Sequence, residues 1–170
     1  KRQLHRSGAI SRMCKVEDGA TTTDYEPEEI KRKVSVNATL APVDWRDTKI
    51  NFIDTPGFAD FVAEVKGAFR AVDSALIVVC ATSGVQVGTE QCWKLAEEAG
   101  LPRIIFVNKM DRENADFDSI LDNLRGKFGK HVLPLQLPLG KEENFQGIID
   151  LYKMKAYRAN GNGSDEIEIP

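Results

Sequence analysis

Cysteine and long apolar runs are scarce in this chain, and each scarcity removes a class of function. The three cysteines, Cys14, Cys80 and Cys92, are far apart and odd in number, with no metal-site spacing. That pattern suits a reducing, cytoplasmic setting rather than a disulfide framework. Cys80 sits inside an apolar strand pattern, where a cysteine packs as a small hydrophobe. No apolar run reaches transmembrane length and no signal peptide precedes the first strand, so no membrane partner is expected. Net charge is −3 and the charged fraction 29%. Nothing therefore marks the chain as a sequence-specific nucleic-acid binder. There is no initiator methionine, no internal repeat and no phosphate-binding glycine loop of the form G-x-x-x-x-G-K-[ST]. The 170 residues are enough for one domain with a real core. They start and stop mid-architecture, so the chain is expected to be a piece of a longer protein.

Two stretches carry chemistry. Lys49-Ile50-Asn51-Phe52-Ile53-Asp54-Thr55-Pro56-Gly57 reads as a strand that ends in a carboxylate and then turns. Ile50, Phe52 and Ile53 suit a mostly buried strand. Pro56 and Gly57 stop the ladder and open a loop. Ligands of open α/β sheets bind beyond the carboxyl ends of the strands. Asp54 is placed there to hold Mg²⁺, directly or through water, beside a phosphate. Gly57 lets a backbone N–H approach that phosphate without steric hindrance. A bare D-x-x-G is also an ordinary strand and turn. The second stretch decides between the two. Arg103-Ile104-Ile105-Phe106-Val107 is another apolar strand, and it ends in Asn108-Lys109-Met110-Asp111. N-K-x-D at the end of a buried strand is the guanine-reading pattern of GTPases. Asp111 can accept both N1–H and N2–H of guanine, a pair adenine does not offer. The Lys109 stem can lie over base or ribose, and the Asn108 amide can tie the loop to its neighbours. Asp54 and Asn108 are expected to end parallel-type strands on one sheet edge.

The remaining pattern supplies the frame. Residues 1–16 read as the tail of a helix broken at Gly8, with basic residues suited to a helix C-terminus. Residues 17–32 read as a mobile polar loop. Val34 to Val43 alternates as a strand, and Trp45–Lys49 reverses it into an antiparallel pairing with Lys49–Asp54. Phe58 to Val72 is expected to be helical, with Phe61, Val62, Val65, Phe69 and Val72 on one stripe. Leu76–Cys80 is fit for a central parallel strand. A helix from about Thr89 to Ala99 closes at Gly100. Asp116 caps another helix that ends near Gly129. From His131 the chain becomes short and proline-punctuated, with strands expected at Gln146–Leu151 and Met154–Tyr157.

The chain resembles translational GTPases of the elongation factor G type over essentially its whole length. Asp54-Thr55-Pro56-Gly57 with Asp60-Phe61 and Glu64-Val65 looks like that family's second switch. Asn108-Lys109-Met110-Asp111-Arg112 looks like its guanine loop. Leu135–Gly140, Phe145, Gly147–Leu151 and Lys153–Ala156 look like the start of the insertion peculiar to elongation factor G.

The resemblance implies an α/β, P-loop NTPase-like fold with a mainly parallel sheet and helices on both faces, incomplete here. Residues 1–130 would be a partial GTP-binding domain lacking the phosphate loop, and 131–170 the start of the β-containing insertion subdomain. It implies nucleotide binding by Asp54, Thr55, Pro56, Gly57, Asn108, Lys109, Met110 and Asp111, with Mg²⁺ held by Asp54 and Ser35. Ser35 stands where the family carries a threonine; it keeps the hydroxyl and loses a methyl. Phe58 stands where the family carries a catalytic histidine, and a phenyl ring cannot orient water or share a proton. The expected function is a GTP-binding and GTP-hydrolysing, ribosome-associated translation factor in the cytoplasm, divergent from the main translocase. This 170-residue piece is expected to be inactive alone. Two alternatives stand beside it: a slow-hydrolysing GTP-dependent ribosome-binding regulator, and a P-loop nucleotide enzyme unrelated to translation.

Overall fold

The computed structural model describes residues 26–161 and 163–170. The helix expected over 1–16, and residues 17–25 of the loop expected over 17–32, lie outside them. The chain divides into two compact units, one drawn from Lys1–Ala75 and Lys94–Pro102, the other from Leu76–Trp93 and Arg103–Pro170.

In the first unit the described chain opens on a helix where the sequence pattern suggests a mobile loop. Helix α1 (Pro27–Arg32) starts on a proline, has Glu28 and Glu29 in its first turn, and has Lys31 and Arg32 in its last. Each of these suits its end of the helix. The Glu29 carboxylate accepts the Glu26 N–H at 3.1 Å, satisfying an orphan donor. Lys33 closes the helix in the left-handed region at φ 57°.

Strand β1 (Thr39–Trp45) pairs antiparallel with β2 (Thr48–Asp54), from Thr39 opposite Asp54 to Trp45 opposite Thr48. Arg46 and Asp47 both have positive φ, 47° and 60°. Two such central residues match the right-handed twist of a tight hairpin. The pairing is the expected one, but β1 begins at Thr39 rather than Val34. The amides of Val36, Asn37 and Ala38 donate to carboxylates instead of a ladder. Ala41 and Val43 are buried against Phe52. After β2, a short 3-10 turn (Ala59–Phe61) leads into α2 (Val62–Phe69), which buries Val65 and Ala68. The helix is shorter than the apolar stripe suggests, because the Arg70 and Ala71 amides close back on Gly67 and Ala68.

Strand β3 (Ala75–Cys80) adjoins β4 (Arg103–Asn108) across helix α3 (Val87–Glu98). Ala75 N–H bonds to Pro102 O at 2.9 Å and Ala81 N–H to Asn108 O at 2.8 Å. Partner numbers rise together, so the strands are parallel, as a helical crossover requires. Continuous apolar runs of this kind suggest burial on both faces. Among the described residues, Ile77 and Val79 are inside, while Leu76, Val78, Ile104 and Phe106 are exposed.

In the second unit the buried face packs on helix α4 (Phe117–Phe128) through Ile120 and Leu124. Trp93 stacks on Phe128 with centroids 4.2 Å apart, and the Arg103 guanidinium lies 4.2 Å over the same indole. Helix α4 starts as expected: the Asp116 carboxylate accepts N–H bonds from Asp118 at 3.0 Å and Ser119 at 3.2 Å. It ends at Gly129, whose φ is 99°.

The C-terminal stretch is a four-stranded antiparallel meander of β5 (Gln136–Leu139), β6 (Gly147–Asp150), β7 (Lys155–Asn160) and β8 (Gly163–Ile167). Gly147 is required there, since a Cβ would come within 1.9 Å of the Tyr157 carbonyl oxygen. The expected strands at 146–151 and 154–157 are its two central ones, and the α/β class stands. Among the described residues no helix is long and apolar enough to cross a membrane.

Candidate functional site

The N-K-x-D segment is held from below. Met110 is 8% exposed and belongs to the core formed by Ile77, Val79, Ala115, Ile120 and Leu124. Its neighbours Asn108, Lys109 and Asp111 are all exposed. One apolar side chain thus pins the loop while the polar ones project. The pin needs a reversal, and Lys109 supplies it with φ 63°, its carbonyl accepting from the Arg112 N–H at 3.2 Å. Asn108 is fixed at the strand end because its carbonyl accepts from Ala81. Downstream, the Asn114 N–H donates to the Glu142 carboxylate at 2.7 Å, tying the loop's tail to the connection between β5 and β6. Among the described residues, nothing in the protein donates to the Asp111 carboxylate. It is an exposed acceptor pair on a braced loop, the acceptor set a guanine edge requires.

The first unit gathers the other predicted residues at one end of its hairpin. Asp54 is the last residue of β2 and lies opposite Thr39, the first of β1. The segment carrying Ser35 and the segment Thr55–Gly57 therefore leave the sheet at the same end. Asp54 is exposed, Ser35 and Thr55 are half-buried, and Pro56 is buried. A Cβ on Gly57 would meet nothing within 4 Å. Among the described residues no cluster of three or more His, Cys, Asp or Glu could hold a metal. Asp54 and Ser35 offer two oxygen donors. This fits Mg²⁺, which keeps several waters and takes substrate phosphate oxygens rather than an all-protein cage.

Phe58 is 59% exposed. Its backbone is extended (φ −84°, ψ 140°) and its carbonyl accepts the Phe61 N–H at 3.0 Å. Asp54–Phe58 and Asn108–Asp111 fall in different units, and β2 pairs with β1 alone among the described strands.

Sequence patterns missed a polar depression of about 290 Å³ in the second unit. Thr82, Ser83, Asn114, Asp116, Ser119 and Asn123 line it. It is built from two loops and one helix face, which carry no motif. Beside it, the Cys80 thiol is pulled down to about 7, mainly by hydrogen bonding to Thr82, whose hydroxyl is 3.2 Å from the sulfur. Burial pushes the Cys92 thiol up. The stability linked to the Cys80 shift is fully present above the ordinary thiol range and is lost as pH falls through about 7. Iodoacetamide labelling followed by peptide mass spectrometry should show a rate midpoint near pH 7 at Cys80. Cys92 should label more slowly across the neutral range. Equal rates at both thiols would contradict this.

A family model described as the elongation factor Tu GTP binding domain matches residues 2–166. Elongation factor G 2 of Treponema pallidum is 44% identical over 155 residues, covering 91% of this chain and 23% of that protein. Elongation factor G 1 of Treponema denticola is 42% identical over 155 residues, again covering 91% of this chain and 23% of the relative. A crystal structure of a protein from Thermus thermophilus superposes with a TM-score of 0.94 at 41% identity, covering 99% of this chain and 25% of that one. The chain thus spans about a quarter of the length of the relatives it matches.

Proposed function

The chain belongs to the family of the elongation factor Tu GTP binding domain, and from that premise we propose that its full-length protein is an elongation factor G-like GTPase acting on the ribosome in translation. The observation that carries this reading is the braced N-K-x-D loop, with Met110 in the core and Asp111 exposed. Asp111 accepts the two guanine donors, Lys109 lies along the base, Asn108 holds the loop, and Met110 anchors it. Asp54 and Ser35 are the Mg²⁺ donors of GTP or GDP, and Thr55, Pro56 and Gly57 bring a backbone N–H to the terminal phosphate. Bound Mg²⁺ would neutralise phosphate charge. Residues 1–130 form the nucleotide-binding part and 131–170 the start of the insertion. The protein works in the cytoplasm, and its partners are GTP and the ribosome. Similarity to elongation factors G over 91% of the chain disfavours a P-loop enzyme outside translation.

One observation keeps a second reading in view. Phe58 offers no acceptor to a water, which favours a slow-hydrolysing factor that uses GTP occupancy chiefly for ribosome contact. Both readings predict that the full-length protein sediments with ribosomes in the presence of a non-hydrolysable GTP analogue and not with GDP. Sedimentation indifferent to nucleotide would contradict both.

The 170 residues alone contain no G-x-x-x-x-G-K-[ST], the element that supplies backbone N–H groups and a lysine to the β- and γ-phosphates. The isolated chain should therefore bind GDP weakly or not at all and turn over no GTP. Titration calorimetry giving micromolar GDP affinity would contradict this.

A further inference from the structure

Three consecutive backbone amides in the first unit donate to side-chain carboxylates. Glu29 Oε1 accepts from Val36 at 2.8 Å and Asn37 at 3.0 Å, and Glu64 Oε2 accepts from Ala38 at 2.9 Å. The other oxygen of Glu29 is engaged by the Glu26 N–H at 3.1 Å, and Glu29 is 0% exposed. A charge buried so completely is tolerated only where donors surround it, so this carboxylate fixes the backbone as firmly as the backbone fixes it. Glu64 arrives from 26 residues away in sequence, on the helix that follows Asp54–Gly57. One carboxylate from each flanking helix therefore grips the residues immediately after Ser35. Because Asp54 ends β2 opposite Thr39, the gripped segment and the Thr55–Gly57 loop also leave the same end of the hairpin.

We infer that Glu29 and Glu64 are positioning residues, Glu29 bracing the segment bearing Ser35 and Glu64 tying that segment to the helix that follows the loop bearing Gly57, so that the two respond to a terminal phosphate together. The inference rests on the GTP-binding reading above. Neither carboxylate touches nucleotide; each acts through the amides of Val36–Ala38. Their effect should be confined to the triphosphate state, in which both segments have a ligand to meet.

The test uses the full-length protein, GDP and the β,γ-imido analogue of GTP, each titrated at several Mg²⁺ concentrations. Glu64→Ala should weaken the analogue about tenfold, the size expected when a hydrogen bond to a charged group is lost. It should also raise the Mg²⁺ needed for analogue binding, while GDP affinity stays within about twofold. Glu64→Gln keeps an acceptor oxygen for the Ala38 N–H and should restore most of the analogue affinity. Glu29→Gln should act in the same direction as Glu64→Ala; the Glu64 variants serve alone if the buried Glu29 change disturbs folding. Equal losses for GDP and the analogue would mark a structural role and overturn the inference. So would a Glu64→Ala protein that binds the analogue as the wild type does. A wild type that binds neither nucleotide would overturn the GTP-binding reading, and the coupling with it.

Discussion

Phe58→His in the full-length protein should raise ribosome-stimulated GTP hydrolysis by roughly 10²–10⁴-fold, the usual contribution of a positioned acid–base group. Position 58 is where the resemblance to elongation factor G expects a histidine, and the phenyl ring there has no atom that can orient a water. The structure makes the exchange feasible. The ring is 59% exposed and extended backbone carries it at the head of the 3-10 turn. Little packing is lost, and an exposed substitution of this kind changes stability by about 0.5 kcal/mol or less. Imidazole then supplies the acceptor or donor that phenyl lacks, with a charge change near neutral pH. Single-turnover hydrolysis with and without ribosomes, for both proteins, measures the effect. An unchanged stimulated rate, or a wild-type rate already equal to the translocase's, would mean another group positions the water.

Asp111→Asn should exchange guanine specificity for xanthine specificity. The carboxylate would otherwise pair two base donors, and its loss costs roughly 2–4 kcal/mol for a charge-assisted pair. That corresponds to a loss of GTP affinity of roughly 30- to 700-fold. Xanthosine triphosphate presents a carbonyl where guanine presents an amino group, and the asparagine amide can donate to it. The fold should not suffer, because Asp111 is exposed and the loop is anchored by Met110. Competition between the two nucleotides on the variant is the measurement. If GTP still wins, Asp111 does not face the base.

Much of this was legible in the residues. The β1–β2 hairpin followed from alternation and a polar reversal at Trp45–Lys49, and the cap of α4 from Asp116, because both are local patterns. What escaped was decided at longer range. Val34–Ala38 alternates like a strand, yet its last three amides go to Glu29 and to Glu64, the latter 26 residues on. Side-chain periodicity records which face is apolar, not where an amide goes. The available signal was a glutamate three residues after Glu26 beside Pro27, a capping arrangement that the polar composition of the stretch obscured. The run Leu76–Cys80 reads as a central parallel strand, yet Leu76 and Val78 are exposed, because an apolar run does not say which face a helix covers. Met110 is expected from the resemblance to be one of the nucleotide-binding residues, but its side chain is buried in the core. Only the alternation of exposed and buried positions shows that it anchors the loop.

The proposed reading of guanine by the loop at Asn108–Asp111 depends on the exposed Asp111 carboxylate. It is tested most directly by displacing fluorescent GDP from the full-length protein with unlabelled GTP, GDP and ATP under identical Mg²⁺. GTP and GDP should displace it, with ATP weaker by at least about 10²-fold, since adenine leaves the Asp111 carboxylate without its paired donors. Displacement by ATP as readily as by GTP would contradict it.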